Sequence, residues 1–228
     1  MTTSAGVHAG ALTEFALLGL LMGAKDVRAL DADRAERRWG GRRVMRQLAD
    51  QTVLIVGLGG IGLTLADRLR AFGTRVIGVN RSGRGAERVD RLVTLDELPE
   101  VVGRVDAVVC CLPDSPGASG VLDSAFFAAA CEGVTFVNVG RGTAVDEEAL
   151  VAALRSGHVG FAALDVVARE PLAADSALFE LDNVLLSPHT AALTDHEEER
   201  VARVFVENAD RLLRGDELVN RMDVVAFY

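Results

Sequence analysis

Residues 52–62 read TVLIVGLGGIG, an apolar run followed by four glycines within six positions. No other stretch restricts the fold as tightly. A short apolar run with polar and glycine flanks is the pattern of a parallel strand buried on both faces. Helical periodicity follows in IGLTLADRLRAF (61–72), and RVIGVN (75–80) reads as a second strand. The glycines therefore sit at the joint of a strand–helix–strand unit, the context in which G-x-G-x-x-G has physical meaning. Gly57 permits the tight turn, Gly59 lets a ligand reach the backbone, and Gly62 lets helix and strand approach closely. The free N–H groups and dipole at the helix start then hold an anion such as a pyrophosphate. Leu58, Gly60 and Ile61 complete the loop expected to line a dinucleotide.

The remaining chain repeats the alternation. DAVVCCLP (106–113), VTFVNVG (134–140), GFAALDVV (160–167) and NVLLSP (183–188) read as further strands. DEEALVAALRSG (146–157) opens with acids and closes on Gly157, the start and stop signals of a helix. A long amphipathic helix is expected from about Asp195 to Leu213, with Gly215 beyond it. Residues 9–37 read as helical in two pieces, ending near Trp39-Gly40-Gly41. Strands alternating with helices predict an α/β fold, a Rossmann-like doubly wound parallel sheet with right-handed crossovers and helices at both ends. Three segments are expected. Residues 1–50 form an interdomain and dimerisation helical segment, 51–192 a dinucleotide-binding domain, and 193–228 a C-terminal helix and tail.

A net charge of −9 argues against non-specific nucleic-acid binding, which needs a positive field. Cys110, Cys111 and Cys131 show no metal-ligand spacing, and adjacent cysteines do not easily bridge. All three lie in apolar runs, so buried free thiols in a reducing compartment are expected. The segment AGALTEFALLGLLMGA (9–24) lacks a basic leading region and a small-residue cleavage site, and Glu14 interrupts it. It is also too short and too polar for a membrane span. The expectation is a soluble helix, a cytoplasmic protein and no membrane association. The apolar face of residues 9–24 is expected to be exposed and to need a partner.

After the second strand, where a carboxylate ordinarily binds the ribose 2′-OH of NAD, the chain reads Asn80-Arg81-Ser82-Gly83-Arg84. No acid repels a 2′-phosphate there, and two guanidiniums are available to pair with it. NADP(H) is therefore the expected cofactor, with NAD the alternative. A charge-assisted Arg–phosphate bond of roughly 1.5–3 kcal/mol gives about a ten- to hundredfold preference.

Three segments put polar groups at C-terminal strand ends: NVGRGTAVDEEAL (138–150), ALDVVAREPL (163–172) and LLSPHTAA (185–192). Open parallel sheets bind ligands along that edge. Arg141, Asp165, Glu170 and His189 are thus expected to converge beside the cofactor. Topology alone carries that expectation, since a lone histidine after a strand is more often structural.

Taken in order, the GLGGIG loop, Leu112-Pro113, NVGRG, DVVAREP and the SPH triplet resemble the D-isomer-specific 2-hydroxyacid dehydrogenases. The resemblance implies that Arg141 binds the substrate's carboxylate and carbonyl, that His189 is the acid/base, and that Glu170 supports it. It also implies that Asp165 holds the nicotinamide carboxamide, and that Cys111, Leu112, Pro113, Val139, Gly140, His189 and Ala191 line the cofactor with the loop residues, Asn80, Arg81 and Ser82. The residue types suit the chemistry. Imidazole exchanges protons near neutrality, and a guanidinium fork grips a carboxylate. No metal is implied. The implied reaction is hydride transfer between NADP(H) and a small 2-keto or 2-hydroxy acid, of the glyoxylate or hydroxypyruvate reductase type. A formate dehydrogenase is disfavoured because that relative carries Gln at the position of Glu170. A short-chain dehydrogenase with a Tyr-x-x-x-Lys site is excluded, the single tyrosine being Tyr228.

Full members of that family carry a flavodoxin-like substrate domain ahead of the matching segment. By the resemblance this chain lacks that domain, and residues 220–228 are expected to return to it. A homodimer is implied. The alternative expectation is a catalytically weak or silent NADP(H)-binding dimerisation module.

Overall fold

Valine-, isoleucine- and leucine-rich runs become the strands of one parallel sheet. The computed structural model describes residues 1–80, 83, 85–115 and 117–221. Among them the strands are β1 (Thr52–Val56), β2 (Arg75–Val79), β3 (Arg91–Val93), β4 (Ala107–Cys110), β5 (Val134–Asn138), β6 (Val159–Leu164) and β7 (Val184–Leu186). The helices are α1 (Ala9–Lys25), α2 (Val27–Ala35), α3 (Gly60–Ala71), α4 (Leu98–Val102), α5 (Ser124–Ala129), α6 (Glu147–Ser156) and α7 (Glu197–Arg214). The strand order is β3-β2-β1-β4-β5-β6-β7, with every pair parallel. The order reverses between β1 and β4, and a doubly wound sheet opens its ligand crevice at such a point.

Successive side chains of a strand point to opposite faces, so each central strand feeds two cores. Leu54, Val56, Val108, Phe136 and Leu164 pack with α4, α5 and α6 residues such as Val102, Phe127 and Leu150. Val53, Ile55, Val109, Val137 and Ala163 face the other way, against Ala16 and Leu20 of α1 and Leu65 and Leu69 of α3. The two helical layers thus bury the sheet on both faces. No helix among the described residues is long and apolar enough to cross a membrane.

The helix signals hold at α6. The Asp146 carboxylate caps it by accepting from the Ala149 N–H at 3.0 Å, and Gly157 ends it at φ 78°. In α7, acids fill the first turn and Gly215 ends the helix at φ 77°. Asn208 is the residue of α7 that is buried, while Phe205, Val206, Leu212 and Leu213 face outward.

Two expectations need correction, and one strand is new. Most of the apolar face of residues 9–24 is not left in solvent, although Leu18 is exposed. α1 lies over β5 and β6 and against α3, burying Leu12, Ala16, Leu20 and Ala24, so its apolar width reflects core packing. Cys110 and Cys111 are buried, and burial pushes the Cys110 thiol up to about 11, but Cys131 is only half-buried and its thiol donates to the Gly103 carbonyl. The edge strand β3 is an addition to the expected strands. Its three residues, Arg-Leu-Val, are too few to show a period.

Candidate active site

The crevice begins at the turn from β1 into α3. Gly57 takes φ 105°, a conformation that side chains disfavour, and a Cβ on Gly62 would lie 2.1 Å from the Gly57 carbonyl oxygen. Gly59 caps α3 without a side-chain hydrogen bond, and the space where its Cβ would lie is open. The first amides of α3 therefore face a cleft of about 370 Å³. Leu58, Gly60, Val79, Asn80, Leu112 and Pro113 share its wall with Leu95, Ser115 and Ala118. Open amides, a helix start and apolar walls fit a dinucleotide's pyrophosphate and base. Ile61 and Gly62 lie in the first turn of α3, and Cys111 and Val139 are buried just past β4 and β5. Arg81 and Ser82, on which the NADP(H) expectation rests, lie outside the described residues. Val79, Leu95, Ser115 and Ala118 are additions to the expected lining; Val79 ends β2 and the others sit in the connections after β3 and β4.

Two strands away, side chains replace backbone. Asn138, almost fully buried at the end of β5, shapes the next turn. Its amide donates to the Arg141 carbonyl at 3.1 Å, and its oxygen accepts the Gly140 N–H at 3.0 Å. Arg141 is exposed, and its guanidinium donates from Nη1 to the Gly140 carbonyl at 2.8 Å. A Cβ on Gly142 would lie 1.8 Å from the Val167 carbonyl oxygen, so glycine there lets the Arg141 turn press against the segment leading to Glu170.

Glu170 and His189, 19 residues apart, meet with Oε2 2.8 Å from Nδ1. Burial pushes the Glu170 carboxyl up, but hydrogen bonds from His189 and the Val167 N–H and the charges of His189 and Arg141 outweigh it. The net position is below the usual carboxylate range. An ionised carboxylate only accepts, so Nδ1 carries the hydrogen and Nε2 is left for proton exchange. The His189 and Glu170 side chains are 46% and 38% exposed, open enough for a substrate to reach them. A cavity of about 590 Å³ adjoins the pair, walled by Leu172, Phe179, Leu186 and Pro188.

His189 itself has φ 57°, a left-handed conformation that costs a non-glycine residue about 1–2 kcal/mol. Its N–H donates to the carbonyls of Asp165 and Ser187, each at 2.9 Å. The buried Asp165 carboxylate accepts three further bonds on Oδ1, from the Ser187 hydroxyl at 2.6 Å and the Thr190 and Ala191 N–H groups at 2.9 Å. Its Oδ2 is buried with no protein partner among the described residues, which fits a ligand amide donating there. Asn138, Gly142, Ser187 and Thr190 have no assigned part in the sequence reading. The signal that could have found Asn138 is a polar residue closing a fully buried strand; the others carry no such signal, β7 before Ser187 being only half-buried.

The family described as "D-isomer specific 2-hydroxyacid dehydrogenase, NAD binding domain" matches residues 17–191. The D-3-phosphoglycerate dehydrogenase of Mycobacterium tuberculosis (strain ATCC 25618 / H37Rv) is 35% identical over 97% of this chain, which spans 42% of that enzyme's length. Among solved structures, a D-isomer specific 2-hydroxyacid dehydrogenase from Xanthobacter autotrophicus Py2, in complex with NADPH and MES, superposes with TM-score 0.90 at 33% identity. The match covers all of this chain and 93% of that one. An NADPH-dependent glyoxylate/hydroxypyruvate reductase from Sinorhizobium meliloti, in complex with NADP and sulfate, superposes with TM-score 0.87 at 32% identity, covering 96% of this chain and 70% of that one.

Proposed function

The chain belongs to the D-isomer specific 2-hydroxyacid dehydrogenases, matching their NAD binding domain, and from that premise we propose that it is an oxidoreductase interconverting a small 2-keto acid and its 2-hydroxy acid with NADP(H). The observation that carries this reading is the 2.8 Å contact between His189 and Glu170, with the Arg141 charge beside it, on the sheet edge that holds the glycine loop. Glyoxylate and hydroxypyruvate are the proposed substrates, a choice supported by the likeness to the Sinorhizobium reductase.

On this reading the loop Gly57–Gly62 holds the pyrophosphate, Arg81 the 2′-phosphate and Asp165 Oδ2 the nicotinamide carboxamide. When bound, the nicotinamide supplies or accepts the hydride. Arg141 turns from the Gly140 carbonyl to grip the substrate carboxylate, and its positive charge polarises the carbonyl. His189 gives a proton from Nε2 to the carbonyl oxygen during reduction and takes it back during oxidation. Glu170 keeps the Nδ1–H in place and offsets the positive charge that the ring carries before it donates.

A second reading, a dinucleotide-binding module with slow turnover, is favoured by the exposure of the pair, which lets water into the site. Residues 1–50 and 193–228 then serve chiefly as interdomain and dimerisation elements. On either reading a homodimer is proposed, supported by the fully exposed Trp39 and Val44 on the arm after α2.

Steady-state NADPH oxidation with glyoxylate and hydroxypyruvate separates the readings. The enzyme reading expects turnover that falls about 10²–10⁴-fold in His189→Ala, with NADPH affinity retained. Tight NADPH binding with no His189-dependent turnover leaves only the module.

A further inference from the structure

We infer that the Ser187 hydroxyl is a positioning group for His189, acting through Asp165; this rests on the acid/base reading of His189 above. The arch Ser187-Pro188-His189-Thr190-Ala191 is fastened at both feet to one carboxylate oxygen. Before the histidine, the Ser187 hydroxyl donates to Asp165 Oδ1 at 2.6 Å. After it, the Thr190 and Ala191 N–H groups donate to the same atom at 2.9 Å. At the crown, the His189 N–H donates to the Asp165 main-chain carbonyl at 2.9 Å. The two hydroxyls of Ser187 and Thr190 lie 3.2 Å apart, so each limits the rotation of the other.

The arrangement explains why His189 stays at φ 57°. A left-handed residue persists where its surroundings over-determine it, and here four hydrogen bonds converge on one residue, Asp165. The ring is thereby held from two sides. Glu170 fixes Nδ1, and Asp165 fixes the backbone from which the ring projects. Of the groups donating to Asp165 Oδ1, Ser187 alone contributes a side chain, so it alone is removable without altering the main chain. Without its hydroxyl the leading foot of the arch is free, His189 relaxes toward an ordinary φ, and Nε2 moves. The cofactor loop Gly57–Gly62, which follows a different strand, keeps its shape. Proton transfer is sensitive to such displacement, whereas ground-state binding of NADPH, spread over the glycine loop as well as Asp165, is less so.

The test compares wild type, Ser187→Ala and Ser187→Thr in NADPH oxidation with glyoxylate, together with amide exchange at Thr190 and Ala191 and the His189 HN–Hα coupling by NMR. The expected result is a kcat about tenfold lower in Ser187→Ala with KM and NADPH affinity within about twofold. Faster exchange at both amides, an altered His189 coupling and recovery in Ser187→Thr complete it. Should Ser187→Ala fail to fold, Ser187→Cys, which nearly keeps the volume with a poor donor, reads the same quantities. Wild-type kcat with unchanged exchange overturns the inference. So does a matched loss of kcat and NADPH affinity, which assigns the hydroxyl to the cofactor pocket. If wild type itself shows no His189-dependent turnover, the acid/base reading falls. The coupling and exchange data then decide the placement of His189 by themselves, unchanged values overturning it.

Discussion

The glycine loop and the Glu170–His189 pair share one edge of one sheet, yet they are made of different material. The loop is backbone. Its shape follows from Gly57 at φ 105° and from the 2.1 Å that a Gly62 Cβ would leave to the Gly57 oxygen, all within six consecutive residues. The pair is side chain, assembled from segments 19 residues apart and braced by Asp165, which precedes Glu170 on the same segment. The loop is built into the sheet–helix joint, where an atom added at Gly62 meets main chain. The pair is half open to solvent and depends on hydrogen bonds that single substitutions remove one at a time. Anion holding needs a rigid array of amides, whereas proton exchange needs an accessible ring, so each half has the construction that the proposed function asks of it.

The sharpest way to break this comparison is Gly62→Val. The added carbons meet main chain rather than a flexible side chain, so the loop must move, at a cost of about 3 kcal/mol. NADPH affinity by isothermal titration is expected to fall about a hundredfold. The Glu170–His189 contact, on other strands, is expected to survive. His189→Ala is the mirror image, with turnover lost and affinity kept. If both variants lose both properties, the halves are not separable and the comparison fails.

Arg81→Ala sharpens the backbone half. A loop of amides does not distinguish NADPH from NADH, so discrimination must come from the side chains after β2. NADPH affinity is expected to fall roughly ten- to a hundredfold, and NADH affinity by less than about twofold. Equal losses for both cofactors remove the assignment.

How much is legible in the sequence follows the same division. The glycine loop is local, and its strand, helix and turn signals fall within a couple of dozen residues, so its place in the fold can be read directly. The strands β1, β2, β4, β5, β6 and β7 are legible too, because each is a run of apolar residues. β3 is not, since three edge residues carry no period. The apolar width of α1 suggests an exposed face because periodicity reports how much surface is apolar and not what lies against it; here it is β5 and β6. Topology can bring Glu170 and His189 to one edge, but their pairing is implied by resemblance alone. The fastening of Ser187, Thr190 and Ala191 to one oxygen of Asp165 has no sequence signal, because one carboxylate accepting three bonds leaves no spacing rule behind.

The smallest expected effect concerns the side-chain half by itself. The Glu170 carboxyl lies below its ordinary value of 4.5: burial raises it, and the His189 and Val167 hydrogen bonds and nearby positive charge outweigh that rise. A carboxylate stabilised in the folded state contributes stability that is present above its unfolded value and lost as pH falls through the folded one. Thermal unfolding of wild type and Glu170→Gln is therefore expected to differ at neutral pH and to converge as pH falls below 4.5. With both side chains more than a third exposed, solvent screening limits the difference to no more than about 1 kcal/mol, or about 2–4 °C for a chain of this size. Asp33, held low by hydrogen bonds from Arg38 and Arg43, and Glu97, held low by the Thr94 N–H and hydroxyl, are also lowered carboxyls. Both are present in wild type and variant and cancel in the difference. A gap that stays constant from about pH 7 to about pH 3 means that Glu170 acts through packing, and its pairing with His189 then contributes geometry to the site without contributing charge.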